Sequence, residues 1–309
     1  MSDSIERIWK YFSKTGCYIK VQYRVNEEEK YVAYIKPNSK KDYALILGAS
    51  SGFGEAAALE LASEGFNIIG VHMDRGAGLT KVEQIKRQIE DFQVEALFFN
   101  LNAASDKNRE QVIQRLTDHF KIKNNAGKIK VLMHSLAFGS LAPYVHNDPA
   151  QRLSQKQMDM TLNVMAHSLV YWTRDLLLAD FLTKGTKIYA MTSSGSTRVT
   201  PYYGAVSAAK AALESHIRQL ALEMAPYGIT ANSLRAGVTF TPALRKIPGH
   251  ETMIDLALSQ IPSKRLTQPS DIAKYISSQA TSDEAWNTGN VINLDGGEFV
   301  VAFHTPLKK

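Results

Sequence analysis

In "TPYYGAVSAAKAAL", Thr200 to Leu213, two adjacent tyrosines stand shortly before a lysine. A phenol and an ammonium on one face of a helix can hold the negative charge that develops on a reacting oxygen. At about 100° and 1.5 Å per residue, Tyr203 lies about 20° in azimuth from Lys210, whereas Tyr202 lies about 80° away. Tyr203 is therefore the tyrosine expected to work with Lys210.

A second stretch points to what that pair would act beside. "LILGASSGFGEAAALELA" places Gly48, Gly52 and Gly54 between an apolar run and a helical one. Glycine permits a tight turn and a close backbone approach, so a dinucleotide pyrophosphate can rest on the helix N-terminus. Ser50, Ser51 and Phe53 belong to the same turn and join the cofactor-binding candidates. Asp74 follows the next apolar run about 20 residues beyond Gly54, the usual place for an acidic residue that meets the adenosine ribose. Its carboxylate would accept hydrogen bonds from the ribose hydroxyls and repel a 2′-phosphate, which favours NAD.

The elements needed to position these groups recur along the chain. "YALILG", "NIIGVHM", "EALFFNL", "KVLMHSLA", "KIYAMTSS", "ITANSLRA" and "NVINLDGG" are short, nearly continuous apolar runs, as in parallel strands covered on both faces. Between them lie "LTKVEQIKRQIEDF", "REQVIQRLTDHF", "MDMTLNVMAHSLVYWTRDLLLADFL" and "AAKAALESHIRQLALEMAPYG", all with helical spacing of apolar residues. The alternation predicts an α/β fold, a Rossmann-like doubly wound parallel sheet with helices on both faces, over residues 41–309. Residues 1–40 read as an N-terminal extension: a short amphipathic helix in "IERIWKYF", then a β-hairpin in "CYIKVQYRV-NEEEK-YVAYIK". "PNSKKD" reads as the linker into the first sheet strand.

Composition narrows the classes. The 309 residues are 44% hydrophobic and 21% charged, an ordinary globular balance. No apolar run is long enough to span a membrane, and the start has no signal-peptide pattern. Cys17 is the sole cysteine, which excludes intrachain disulfides and suits a reducing, cytoplasmic setting. The net charge of +6 is scattered without a nucleic-acid-binding signature. His72, His134 and His167 lack metal-ligand spacing and read as structural histidines; no metal is expected.

The Gly-x-x-x-Gly-x-Gly spacing resembles the short-chain dehydrogenase/reductase family, and the likeness extends over roughly Lys41 to Val301. The resemblance implies that Asn100-Leu101 in "FFNLN" stands beside the adenine, and that Asn163 supports the catalytic lysine through water. Ser193 in "AMTSSGS" falls at the catalytic serine position of carbonyl-reducing members. Arg75 follows Asp74 where family members often grip a 2′-phosphate, so NADPH is open through Arg75 while Asp74 favours NADH.

Most of the family has tyrosine four residues before lysine; Val206 occupies that position here. Tyr-x6-Lys, together with "LMHSLAFG", resembles the enoyl-acyl carrier protein reductases of the family. The shift displaces the phenol about 4.5 Å along the helix axis. That suits a hydride delivered to the β-carbon while charge develops on the more distant thioester oxygen. The resemblance then implies that Tyr203 hydrogen-bonds the enolate oxygen and that Lys210 holds the nicotinamide ribose. It also implies that Ser135, Leu136 and Ala137 line the adenosine side, and that Val238 and Thr241 hold the carboxamide and phosphates. The ordinary "GASSGFG" loop resembles a smaller bacterial branch that uses NADPH. Ser193 also replaces that group's second active-site tyrosine.

The segment near 240–265 is expected to be a substrate lid. Met253, Ile254, Leu256 and Leu258 would cover an acyl chain, and Arg245, Lys246, Lys264 and Arg265 would face an acidic acyl carrier protein. The expected activity is NAD(P)H-dependent reduction of an enoyl thioester by a homodimer or homotetramer. Two alternatives stand: a carbonyl reductase using Ser193 with Tyr203, and an NAD(P)-binding sensor without turnover.

Overall fold

All seven expected apolar runs form strands of one parallel sheet. The computed structural model describes the backbone of residues 5–13, 16–25 and 28–35, and residues 42–123 and 127–301 in full. The strands are β4 (Asp42–Leu47), β5 (Asn67–His72), β6 (Ala96–Asn100), β7 (Lys128–His134), β8 (Leu182–Thr192), β9 (Thr230–Ala236) and β10 (Val291–Leu294). Their order in the sheet is β10-β9-β8-β7-β4-β5-β6. The chain runs outward from β4 to β6, then returns beside β4 as β7 and runs the other way. β4 and β7 therefore flank the switch point, beyond whose carboxyl ends a crevice must open.

Helices cover both faces, as a sheet of apolar strands requires. On one face α1 (Gly52–Ser63), α2 (Ala77–Asp91) and α8 (Pro269–Ala280) bury Ala57, Ala58, Leu61, Ile85, Ile89, Ile272 and Ile276 against Ala44, Ile46 and Ile68. On the other, α3 (Asp106–Ile122), α5 (Ser168–Leu178) and α6 (Gly204–Met224) bury Leu116, Phe120, Trp172, Leu176, Leu213 and Ile217 against Leu45, Leu47 and Leu132. The expected single helix from Met158 to Leu182 is divided: α4 (Gln155–Leu162) passes through a π-helical turn, Asn163–His167, into α5. α7 (His250–Gln260) lies in the expected lid segment.

The N-terminal reading needs one correction. "IERIWKYF" forms strand β1 (Ile5–Ser13), not a helix. Its high content of β-branched and aromatic residues favours a strand once a partner is adjacent, and β1 pairs antiparallel with β2 (Gly16–Val25). β2 pairs antiparallel with β3 (Glu28–Ile35), the expected hairpin. Of the expected linker at 37–42, residues 37–41 lie outside the described residues and Asp42 opens β4.

Candidate active site

The glycine turn is built by close backbone approach. Gly48, at φ +94°, donates its N–H to Val71 O (2.8 Å). A Cβ on Gly48 would stand 2.5 Å from Ser135 O, and one on Gly54 would stand 2.0 Å from Gly48 O. β4, β7 and the start of α1 thus meet with no room for a side chain. Ser51 precedes α1 without a side-chain cap, so the first N–H groups of the helix are left for an anion. Thr241 closes over the turn, its methyl 3.5 Å from where a Gly52 Cβ would lie. A cradle that only glycine permits, beside uncapped helix N–H groups, fits a dinucleotide pyrophosphate. Ser50, Ser51 and Phe53 lie in that turn, and Phe53 continues into the neighbouring cavity.

The adenosine-side candidates lie at the ends of β5 and β6. Asn100 clasps the backbone of Asp74, accepting from its N–H (3.0 Å) and donating to its carbonyl (3.0 Å). The Asp74 carboxylate accepts from His72 Nδ1 (2.9 Å). Leu101 donates its N–H to His72 O (2.7 Å) and packs at the edge of the core. Arg75 is exposed.

A cavity of about 200 Å³ opens from the crevice. Ser135, Leu136, Ala137, Val238 and Thr241 line it with Phe53, and Ser193, Tyr203 and Lys210 line it as well. Tyr203 is the residue immediately before α6, not a residue of its first turn, and its carbonyl accepts the first helical N–H, from Ser207 (2.8 Å). Tyr202 sits at φ +63° and is 47% exposed, so the two adjacent tyrosines part as expected. The Tyr203 ring lies against Gly195, where a Cβ would come within 2.7 Å of Cε1. Burial raises the Tyr203 pKa above the usual phenol value, and a hydrogen bond from Ser193 opposes that shift. Ser193 Oγ also accepts from Gly195 N (2.9 Å).

Lys210 is buried and donates to Met191 O (2.7 Å). Burial lowers its pKa to about 8, while the carboxylate of Glu214, one turn further along α6, pulls it upward. Glu214 is itself held by Thr192 Oγ1 (2.7 Å) and Arg235 Nη2 (3.4 Å). The ammonium is lost as pH rises through about 8. A reaction that needs it will show a falling limb of kcat/KM for the nicotinamide nucleotide there. In Glu214→Gln the opposing charge is gone, so the limb is expected at lower pH; a limb that stays in place or moves upward would refute the assignment.

Not every candidate reaches the cavity. Asn163 opens the π-helical turn and donates to Ala104 O (3.3 Å), away from the cavity lining. Of the four apolar lid residues only Met253 lines the cavity; Leu256 is exposed, and Leu244 and Ile247 complete the wall instead. Of the four lid cations, Arg265 is held by Asp271 (2.7 and 3.0 Å) and Lys264 donates to Leu258 O and Ser259 O at the end of α7. Arg245 lies over the Phe240 ring, and Lys246 reaches the cavity. The lid sequence shows charge and apolarity without showing which residues the turn at Leu244–Lys246 directs inward.

Sequence reasoning also missed Thr192, Glu214, Arg235 and Glu298. Glu298 is buried and its Oε2 accepts from Val238 N (2.7 Å), while burial raises its pKa. The position of Glu214 four residues after Lys210 was the available signal; Arg235 and Glu298 come from distant segments and had none. Among the described residues no three His, Cys, Asp or Glu form a metal-holding group, and no helix is long and apolar enough to cross a membrane.

The family model described as "Enoyl-(Acyl carrier protein) reductase" matches residues 48–298. The 3-oxoacyl-[acyl-carrier-protein] reductase FabG of Pseudomonas aeruginosa is 27% identical, covering 83% of this chain and 97% of its own. The 1-cyclohexenylcarbonyl-CoA reductase of Streptomyces collinus is 26% identical, covering 85% of this chain and 89% of its own. A solved enoyl-[acyl-carrier-protein] reductase (NADH) from Aquifex aeolicus shares the fold, with a TM-score of 0.72 at 21% identity over 86% of this chain and 99% of that one.

Proposed function

This chain belongs to the short-chain dehydrogenase/reductase family of NAD(P)-dependent oxidoreductases, and we propose that it reduces the 2,3 double bond of an enoyl thioester carried by acyl carrier protein or CoA. The observation that carries this reading is the place of Tyr203 at the mouth of α6, seven residues before Lys210, with its phenol in the cavity. The bound nucleotide supplies the hydride. Tyr203 donates a hydrogen bond to the thioester oxygen on which charge collects, and the enolate so formed takes up its proton at the α-carbon from solvent. Lys210, anchored by Met191 O and set by Glu214, supplies the nearby positive charge and a donor for the nicotinamide ribose. Gly139, Leu141, Met165, Val206, Ile247 and Met253 give the acyl chain an apolar wall. Lys246 at the cavity and the exposed Arg245 suit an acidic carrier. A relative named as a reductase of a cyclohexenylcarbonyl-CoA, an unsaturated thioester, is consistent with this substrate class.

One observation favours a second reading. Ser193 lines the cavity with Tyr203 and offsets part of the rise in its pKa, the arrangement by which a serine and tyrosine jointly hold a ketone oxygen, and a 3-oxoacyl reductase is among the relatives. Absorbance at the nicotinamide band, followed with crotonyl thioester and with a 3-oxoacyl thioester, each with NADH and NADPH, separates the two. On the enoyl reading crotonyl thioester turns over and Ser193→Ala costs less than about tenfold, the worth of one neutral hydrogen bond. Turnover of the ketone alone, with a loss of about a hundredfold or more in Ser193→Ala, would replace enoyl by carbonyl reduction.

A further inference from the structure

The end of β5 carries a charge arrangement that the catalytic reading leaves unused. His72 is the last residue of β5, buried to 6% exposure and paired across the sheet with Asn100 of β6, with its ring against Phe98. Its Nδ1 stands 2.9 Å from Asp74 Oδ2. A carboxylate can only accept, so the imidazole carries the hydrogen on Nδ1. The other oxygen, Oδ1, faces the first turn of α2, 2.9 Å from where a Gly78 Cβ would lie. Asn100 fixes the Asp74 backbone from the neighbouring strand. Oδ2 is thus engaged by His72 and Oδ1 lies against α2, the side chain staying 26% exposed, while the Arg75 side chain is exposed.

We propose that His72 is a specificity-determining residue: by holding the Asp74 carboxylate inward it leaves Arg75 as the effective charge at the adenosine end, so that the site accepts a nucleotide with a 2′-phosphate. This rests on the functional reading above only in placing NAD(P) along the glycine turn. A free carboxylate would offer its acceptors to ribose hydroxyls and repel a phosphate dianion. A carboxylate engaged by an imidazole and rotated away does less of both. Selectivity is then set by the pair, not by Asp74 alone.

Calorimetric titration with NADP+ and with NAD+, without substrate, tests this independently of turnover. In His72→Leu, which fills the space without a donor, the ratio of Kd for NADP+ to Kd for NAD+ is expected to rise about tenfold, the worth of one hydrogen bond to a charged group. His72→Gln, which keeps a donor, should restore part of the wild-type ratio. In the Asp74→Asn background the His72→Leu change should have no further effect on the ratio, because the carboxylate charge whose exposure sets the ratio is already gone. Arg75→Ala, an exposed substitution that leaves the pair intact, should weaken NADP+ about tenfold and leave NAD+ unchanged. A ratio unmoved in His72→Leu, a shift that persists on Asp74→Asn, or equal weakening of both nucleotides in Arg75→Ala would overturn the inference while leaving the enzyme reading intact. Binding of neither nucleotide by the wild-type chain would instead overturn the functional reading beneath it.

Discussion

Tyr203→Phe is expected to lower kcat about a hundred- to a thousandfold with crotonyl thioester while leaving the affinity for NAD(P)H unchanged. The magnitude is that of removing one preorganised donor aimed at a developing oxyanion in a site shielded from water. The phenol is buried in the cavity, and its pKa is raised by that burial, so it is a proton-bearing donor throughout the neutral range. The substitution keeps the ring that packs against Gly195 and Val206. Ser193 keeps its bond from Gly195 N, so no buried polar group is stranded and the thermal midpoint should move little. Tyr202→Phe is the internal comparison: its side chain is largely exposed on the far side of the turn, and the rate should be unaffected. An equal loss in both variants, or none in Tyr203→Phe, would remove the basis for assigning the chemistry to the residue seven before Lys210. Loss of nucleotide affinity together with rate would mean that the ring, not the hydroxyl, is what the site needs.

What the sequence made readable, and what it did not, follows from whether the signal is local. The seven sheet strands are apolar runs whose character is set by burial on both faces, and each appears where its run lies. The glycine turn was equally plain, because close approach admits only one residue type. Helical geometry favoured Tyr203 over Tyr202; Tyr203 lines the cavity and Tyr202 is exposed, although Tyr203 stands before α6 rather than within it. What the sequence left open turns on contacts that a local pattern does not show. "IERIWKYF" has apolar spacing that a helix could use, and β2 makes it a strand. Asp74 read alone is a carboxylate free to meet a ribose; the structure adds a bond to it from His72 Nδ1, two residues earlier. Arg265 looks like a cation free to meet a carrier until Asp271 occupies it. Arg235 and Glu298 meet Glu214 and Val238 from β9 and from beyond β10, and no spacing in the sequence connects them to Lys210 or Val238. The π-helical turn at Asn163 likewise reflects tertiary packing: Ser168 Oγ donates to Val164 O within the buried contact with His134.

Gly54→Ala should behave opposite to the usual rule for helices. In a helix interior alanine is favoured over glycine by roughly 1 kcal/mol, and Gly54 is the third residue of α1. Here the added Cβ would lie 2.0 Å from Gly48 O, 2.8 Å from Gly48 C and 3.4 Å from Ala49 Cα. All three are backbone atoms that cannot swing aside, so α1 must retreat from the end of β4 by something on the order of an ångström. Overpacking of this kind costs about 1–3 kcal/mol. The larger effect is on binding, because the retreat moves the helix N–H groups that the dinucleotide needs, and a misplacement of that size costs about a hundredfold. Gly249→Ala separates the two contributions. Gly249, unlike the helical Gly54, holds a left-handed conformation, at φ +76°, and nothing lies within 4 Å of its would-be Cβ. It should cost only the strain of placing alanine there, about 1 kcal/mol, with nucleotide affinity intact. If Gly54→Ala were to bind NAD(P) as tightly as the wild-type chain, the pyrophosphate could not rest on α1, and the cavity beside Tyr203 would need another explanation for its shape.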